Sequence, residues 1–229
     1  MFPIFPIVPW HIAWLEPWFP YAPLIWLSGV ICLWMTRYTH QLAQRWGERY
    51  YWLSAIVRPL GVLLILVGWL AVLAEPGGTR VQGWGSWLIF LGWDGRPTMV
   101  FWFRILCGLG TLLSLAFGLW AIKVLGLRRS FLYRRLDDPL ITDGPYSIVR
   151  HPQFLSAIGV TFFYAVAVLP MEPYLGWPLY VGPYEIVPNW ALFTVALWLL
   201  AVLEDRELAT HFGAEYAEYA RRVPRLFPN

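Results

Sequence analysis

The chain has 229 residues, of which 59% are hydrophobic and only 14% charged, with a formal net charge of +3. A soluble domain carries about 25% charged residues. The composition therefore excludes an ordinary soluble domain and points to an all-α integral membrane protein, of a length that suits one compact bundle. No nucleic-acid partner is expected; the lipid bilayer is.

The start of the chain is broken by Pro3, Pro6, Pro9, Pro17, Pro20 and Pro23 and has no basic leader, so it does not read as a signal peptide. A bilayer core of about 30 Å needs roughly 20 mostly apolar residues per helix. Five runs are expected to span: 21–37, 53–74, 98–122, 153–170 and 189–204. The first and last are short. The run Gly83–Trp93 is too short to cross and reads as an interfacial or re-entrant piece. Cys32 and Cys107 lie in apolar runs, with neither metal spacing nor a disulfide framework, and read as small core residues. No metal site is expected.

The connections alternate in charge. Arg37, Arg45, Arg49 and Arg58 fall in 36–58. Lys123, Arg128, Arg129, Arg134, Arg135 and Arg150 fall in 123–152, and Arg206, Arg221, Arg222 and Arg225 in the tail. That puts 14 of the 17 basic residues on one side. By the positive-inside rule the N-terminus is outside the inner membrane and the C-terminus is cytoplasmic. Aromatic residues near the span ends read as interfacial belts: Trp10, Trp14, Trp18, Phe19 and Tyr21; Tyr50, Tyr51 and Trp52; Trp177, Tyr180, Tyr184 and Trp190.

Two polar blocks interrupt this apolar chain. The first is Asp143-Gly-Pro-Tyr-Ser-Ile-Val-Arg-His-Pro-Gln-Phe-Leu-Ser156. Gly144-Pro145 is a turn signal, and Pro152 suits the first position of a helix. Arg150 and His151 then stand at a helix N-terminus, where free N–H groups, the dipole and a guanidinium favour a carboxylate or phosphate. The alternative is that Arg150 reaches lipid phosphate and His151 merely caps the helix. The second block runs from Glu204 to Pro228. Adjacent carboxylates at Glu204 and Asp205, where the last span ends, are unfavourable unless a cation or hydroxyl groups satisfy them. Leu208, Phe212, Tyr216, Tyr219 and Val223 then recur at helical spacing, the pattern of an amphipathic interfacial helix.

On these residues the chain resembles the isoprenylcysteine carboxyl methyltransferases and phospholipid N-methyltransferases. Gly144-Pro-Tyr-Ser-Ile-Val-Arg-His-Pro-Gln-Phe-Leu is similar to their "GPY-x-x-V-RHP-x-Y-x-G" block. Glu204-Asp-x-x-Leu-x-x-x-Phe-Gly-x-Glu-Tyr-x-x-Tyr-x-x-x-Val-Pro-Arg-x-x-Pro228 is similar to their "EE-x-x-L-x-x-x-FG-x-EY" block and its continuation. Leu125-Gly-Leu-Arg-Arg-Ser-Phe131 resembles the approach to the first block. The likeness covers roughly 105–229. It implies a methyltransferase-like membrane domain over 101–229; residues 1–100, an N-terminal membrane region with a Trp/Pro-rich start, two spans and a short interfacial segment, give no such match and are where complex partners could bind.

The resemblance further implies S-adenosylmethionine on the cytoplasmic side and a lipophilic substrate entering laterally. Tyr146, Arg150, His151, Glu204, Asp205, Tyr216, Tyr219 and Arg225 are then expected to bind the cofactor. Arg150 would take its carboxylate and Glu204 its amine, ribose or sulfonium, and these two are the catalytic candidates. Three positions depart from the pattern: Phe154 for a Tyr, Ser156 for a Gly and Asp205 for a Glu. They could tune substrate choice or mark a chain that has lost activity. Two other readings stand beside this one: a non-catalytic subunit of a larger membrane complex, and an NADPH-dependent reductase resembling the sterol reductases.

Overall fold

A computed structural model describes residues 21–36, 42, 45–73, 99–132, 138–168 and 186–227. The Trp- and Pro-rich start and the run 83–93 lie outside the described residues. So do Arg37, Arg134, Arg135, Trp177, Tyr180 and Tyr184.

The described residues form helices and no strand. The main ones are α1 (Ala22–Met35), α2 (Glu48–Leu73), α3 (Met99–Leu125), α4 (Pro152–Val168), α5 (Ile186–Phe212) and α6 (Ala214–Arg222). A π-helical turn spans Arg128–Leu132, and a short 3-10 turn spans Gly144–Ser147. Three helices contain stretches long and apolar enough to cross a membrane: Glu48–Trp69, Ile105–Leu125 and Val187–Phe212. The apolar helices α1 and α4 are shorter.

Small residues let the helices meet at backbone distance, the usual packing device where lipid removes the hydrophobic drive. A Cβ on Gly29 would lie 2.5 Å from the Gly61 carbonyl oxygen, and one on Gly68 would lie 2.6 Å from the Trp26 nitrogen. These contacts weld α1 to α2. Between α3 and α4, Gly118 faces Ser156 and Gly159 faces Ser114, with Ser156 Oγ donating to the Ser114 carbonyl at 2.7 Å. Ser156 thus fills a space that Gly118 leaves.

One core joins the two halves of the chain. Trp26 of α1 and Trp69 of α2 both meet Phe193 of α5 edge-on, at 5.6 and 5.2 Å. Phe154 and Ile158 of α4 belong to the same cluster. Residues from before and after position 100 therefore share one core.

Some expectations are corrected. The last span does not stop at Leu203: α5 continues through Glu204 and Asp205 to Phe212. Its 27 residues reach about 40 Å, more than the hydrocarbon needs. The change from apolar to charged residues does not end the helix. Gly213, at φ +55°, makes the actual break. Two belt aromatics turn inward. Tyr50 is 1% exposed, with its hydroxyl donating to the Thr36 carbonyl at 2.7 Å. Trp190 donates to the Ile158 carbonyl and packs on Phe162. Trp52 remains outward. Cys107 is buried and Cys32 half-buried.

Candidate functional site

The two polar blocks fold against each other at one end of the bundle. The first block starts with Gly144 at φ +59°, where a Cβ would also come within 3.2 Å of Val124. Only glycine meets both demands cheaply. The 3-10 turn buries Pro145 and Tyr146, and α4 then begins at Pro152 as expected. The N–H groups of Arg150 and His151 are not free. They donate to the Pro224 and Arg225 carbonyls at 2.9 and 3.1 Å. The His151 carbonyl takes the N–H groups of Phe154 and Leu155. The expected anion site of open backbone N–H groups is thus closed by the chain's own tail.

Asp205 is the centre of the assembly. Its Oδ2 accepts from Arg150 Nη1 at 2.8 Å and from Arg225 Nε at 2.6 Å. Its Oδ1 lies 2.7 Å from His151 Nε2 and accepts from the Tyr216 hydroxyl. A buried carboxylate with four donors is well satisfied, as its desolvation requires. Arg150 Nη1 also donates to Tyr216 at 3.3 Å. Tyr219 donates to the Tyr146 carbonyl at 2.6 Å.

Burial, and then the Asp205 carboxylate, push the Tyr216 hydroxyl far above its ordinary range. Burial also raises Tyr219, against the Arg150 charge. Both tyrosines are therefore protonated donors at neutral pH.

His151 is 5% exposed and is held by the adjacent carboxylates of Glu204 and Asp205. Its Nδ1 stands 3.4 Å from Glu204 Oε2. Burial alone would lower its pKa. The hydrogen bonds and charges of Asp205 and Glu204 together outweigh that and raise it above the ordinary histidine value. Phe154 stacks on the ring at 5.7 Å, nearly parallel. The departure from Tyr to Phe therefore gives His151 an apolar lid.

A cavity opens beside this junction, with an empty volume of about 1100 Å³ including its open mouth. Tyr146, Arg150, His151, Glu204 and Tyr219 line it. The other three expected binding residues, Asp205, Tyr216 and Arg225, do not. They stand behind the wall and hold it. Arg150 is likewise tied to Asp205, although its Nε is buried without a hydrogen-bond partner among the described residues.

The stripe expected to lie on the membrane packs on protein instead. Tyr216, Tyr219 and Val223 cluster with Leu140, Leu208 and Phe212, while Glu215, Glu218, Arg221 and Arg222 stay exposed.

Sequence reasoning missed part of the cavity. Leu33 of α1 and Arg58 of α2 line it, as do Ser130, Gln153, Glu207 and His211. The signal for Arg58 was present: an arginine inside an apolar helix is costly and marks a site. Glu207 and His211 share a helical face with Glu204, at spacings of three and seven. Among the described residues, no group of three or more His, Cys, Asp or Glu is placed to hold a metal ion.

No family model matches the chain, and no solved structure matches it significantly. Among curated proteins it is similar to the cobalt-zinc-cadmium resistance protein CzcN of Cupriavidus metallidurans, at 33% identity over 103 residues. That alignment takes in 43% of this chain and 39% of the relative, so the chain spans about two fifths of the relative's length.

Proposed function

We propose that the protein is an integral membrane S-adenosylmethionine-dependent methyltransferase acting on a lipophilic or membrane-partitioned acceptor. One observation carries the reading. The two segments that resemble membrane methyltransferases lock together through Asp205 and the Pro224–Arg225 backbone, and a cavity opens at their junction.

The donor set fits that cofactor. The Glu204 carboxylate suits an ammonium or ribose hydroxyls. The orphaned Arg150 Nε is a donor suited to a carboxylate. When bound, S-adenosylmethionine supplies a methyl group on a sulfonium for in-line displacement, a reaction governed by alignment and exclusion of water. His151, gripped by both carboxylates, orients Glu204. Asp205, Tyr216 and Arg225 hold the wall. Leu33, Leu125 and Phe154 give the cavity an apolar side, which suits a substrate arriving from lipid.

The same reading takes α1–α5 as five spans, α1 and α4 being completed by interfacial residues. It places the N-terminus outside the inner membrane, the C-terminus in the cytoplasm, and α6 at the cytoplasmic surface. A reporter fused after Asn229 is then active only inside the cell. The activity itself is tested by incubating the purified protein with tritiated methyl donor and lipids from its native membrane. Label entering the organic phase supports the reading. Absence of label with every lipid fraction, together with no cofactor binding, refutes it.

A second reading rests on the Cupriavidus relative, whose name assigns it to cobalt, zinc and cadmium resistance. Under it the chain serves metal resistance, as a subunit or as a modifying enzyme. Deletion of the gene then sensitises its host to those cations.

A further inference from the structure

We infer that Arg58 is the positioning residue for one wall of the cavity, and that through it α1 and α2 take part in ligand binding rather than serving only as membrane anchors. The wall's geometry stands on the contacts below; the ligand it serves rests on the methyltransferase reading.

Arg58 is 4% exposed and sits well inside the apolar part of α2. Its guanidinium reaches in two directions. Nε donates to Thr36 Oγ1 and Nη2 to the Thr36 carbonyl, both at 3.2 Å. Thr36 ends α1, so the cation meets the negative end of that helix. On the other side Nη1 donates to the Arg129 carbonyl at 3.4 Å. One turn earlier in α2, Ser54 Oγ donates to the Leu132 carbonyl at 3.0 Å. The turn Arg128–Leu132 is thus fastened near both ends to α2.

That turn matters because of what it carries. Arg129 and Ser130 line the cavity, and Ser130 Oγ accepts from Gln153 Nε2 at 2.9 Å. Gln153 lies in the first polar block, two residues after His151. A continuous path of contacts therefore runs from the end of α1, through Arg58 and the turn, to the start of α4. Leu33, Arg58, Arg129, Ser130 and Gln153 are all cavity residues. No residue before 105 belongs to either polar block, yet this wall depends on one.

The test uses the full chain in lipid nanodiscs, comparing wild type with Arg58→Met and Arg58→Lys by amide hydrogen exchange and by titration with S-adenosylhomocysteine. In Arg58→Met, exchange in 128–132 is expected to rise about tenfold, the scale of one lost charged hydrogen bond. The centres of α3 and α5 stay protected, and ligand affinity falls severalfold. Arg58→Lys, which keeps the charge near Thr36, restores part of both. Unchanged exchange in 128–132 overturns the inference. So does an equal rise in every helix, which is the mark of a merely structural residue.

If Arg58→Met does not fold, Ser54→Ala, which removes only the bond to Leu132, is expected to give a smaller rise confined to the same turn. No rise there overturns the inference as well. If the wild type binds no S-adenosylhomocysteine, the methyltransferase reading fails, while the exchange pattern still decides the role of Arg58.

Discussion

Arg225 Nε lies 2.6 Å from Asp205 Oδ2, and this contact fastens the tail that follows α6 to the helix that precedes it. The same oxygen holds Arg150, so one carboxylate ties both polar blocks together. Removing Asp205 leaves the Arg150 guanidinium and the His151 imidazole short of a partner in a largely buried place, while the one-third exposed Arg225 can turn to water. Breaking a buried charge pair in this way costs about 3–5 kcal/mol. Asp205→Ala is therefore expected to lower the melting temperature sharply in detergent, and Asp205→Asn less so. A melting curve for Asp205→Ala that overlays the wild type contradicts the anchoring role.

His151 makes stability depend on pH in a stated direction. Its pKa is raised in the folded protein, because Glu204 and Asp205 together outweigh burial. Arg150 and Arg225 face the same Asp205 carboxylate, and Phe154 covers the ring. A raised histidine contributes stability that is fully present below the unfolded value of 6.5. That contribution is lost as pH climbs through the folded value. The melting temperature is expected to fall as pH is raised above neutrality, and His151→Gln is expected to lack that fall. A wild type whose melting point rises over the same range, with the variant following it, contradicts the protonated imidazole.

The three departures from the methyltransferase pattern were legible in the sequence, but their consequences were not. Phe154 is absorbed locally by the face of His151 three residues earlier, whereas Ser156 fills the gap at Gly118 on another helix and Asp205 takes four donors from three segments. The two polar blocks, the turn at Gly144 and the start of α4 at Pro152 could be read from residue types alone, because local backbone chemistry fixes them. The end of α5 could not. Hydropathy reports where lipid stops, whereas helix propensity runs on through Glu204–Phe212 until Gly213. The inward stripe of α6 looked interfacial because periodicity cannot say whether lipid or protein covers an apolar face. Arg58 was counted as a loop charge, since only the folded chain brings Thr36 and Arg129 to it.

The α3–α4 seam gives a packing test. A Cβ on Gly118 would come within 2.8 Å of Ser156 Cβ. Gly118→Ala is expected to destabilise by about 1–3 kcal/mol through overpacking. Adding Ser156→Gly vacates the space and is expected to recover most of that loss. The two changes are strongly non-additive, as contacting residues are. Additive effects in a thermal denaturation cycle contradict the close approach.

Glu204 is where the account is most exposed. It is 4% exposed, lines the cavity and faces His151 Nδ1. The direct measurement is the melting temperature of wild type and Glu204→Gln, each with and without S-adenosylhomocysteine. Ligand binding to the folded state raises the melting point by mass action. The account predicts a clear ligand-induced rise in the wild type and a much smaller one in Glu204→Gln, whose volume is nearly the same. Equal rises in the two proteins make Glu204 a bystander, and no rise in a well-folded wild type contradicts the cofactor site itself.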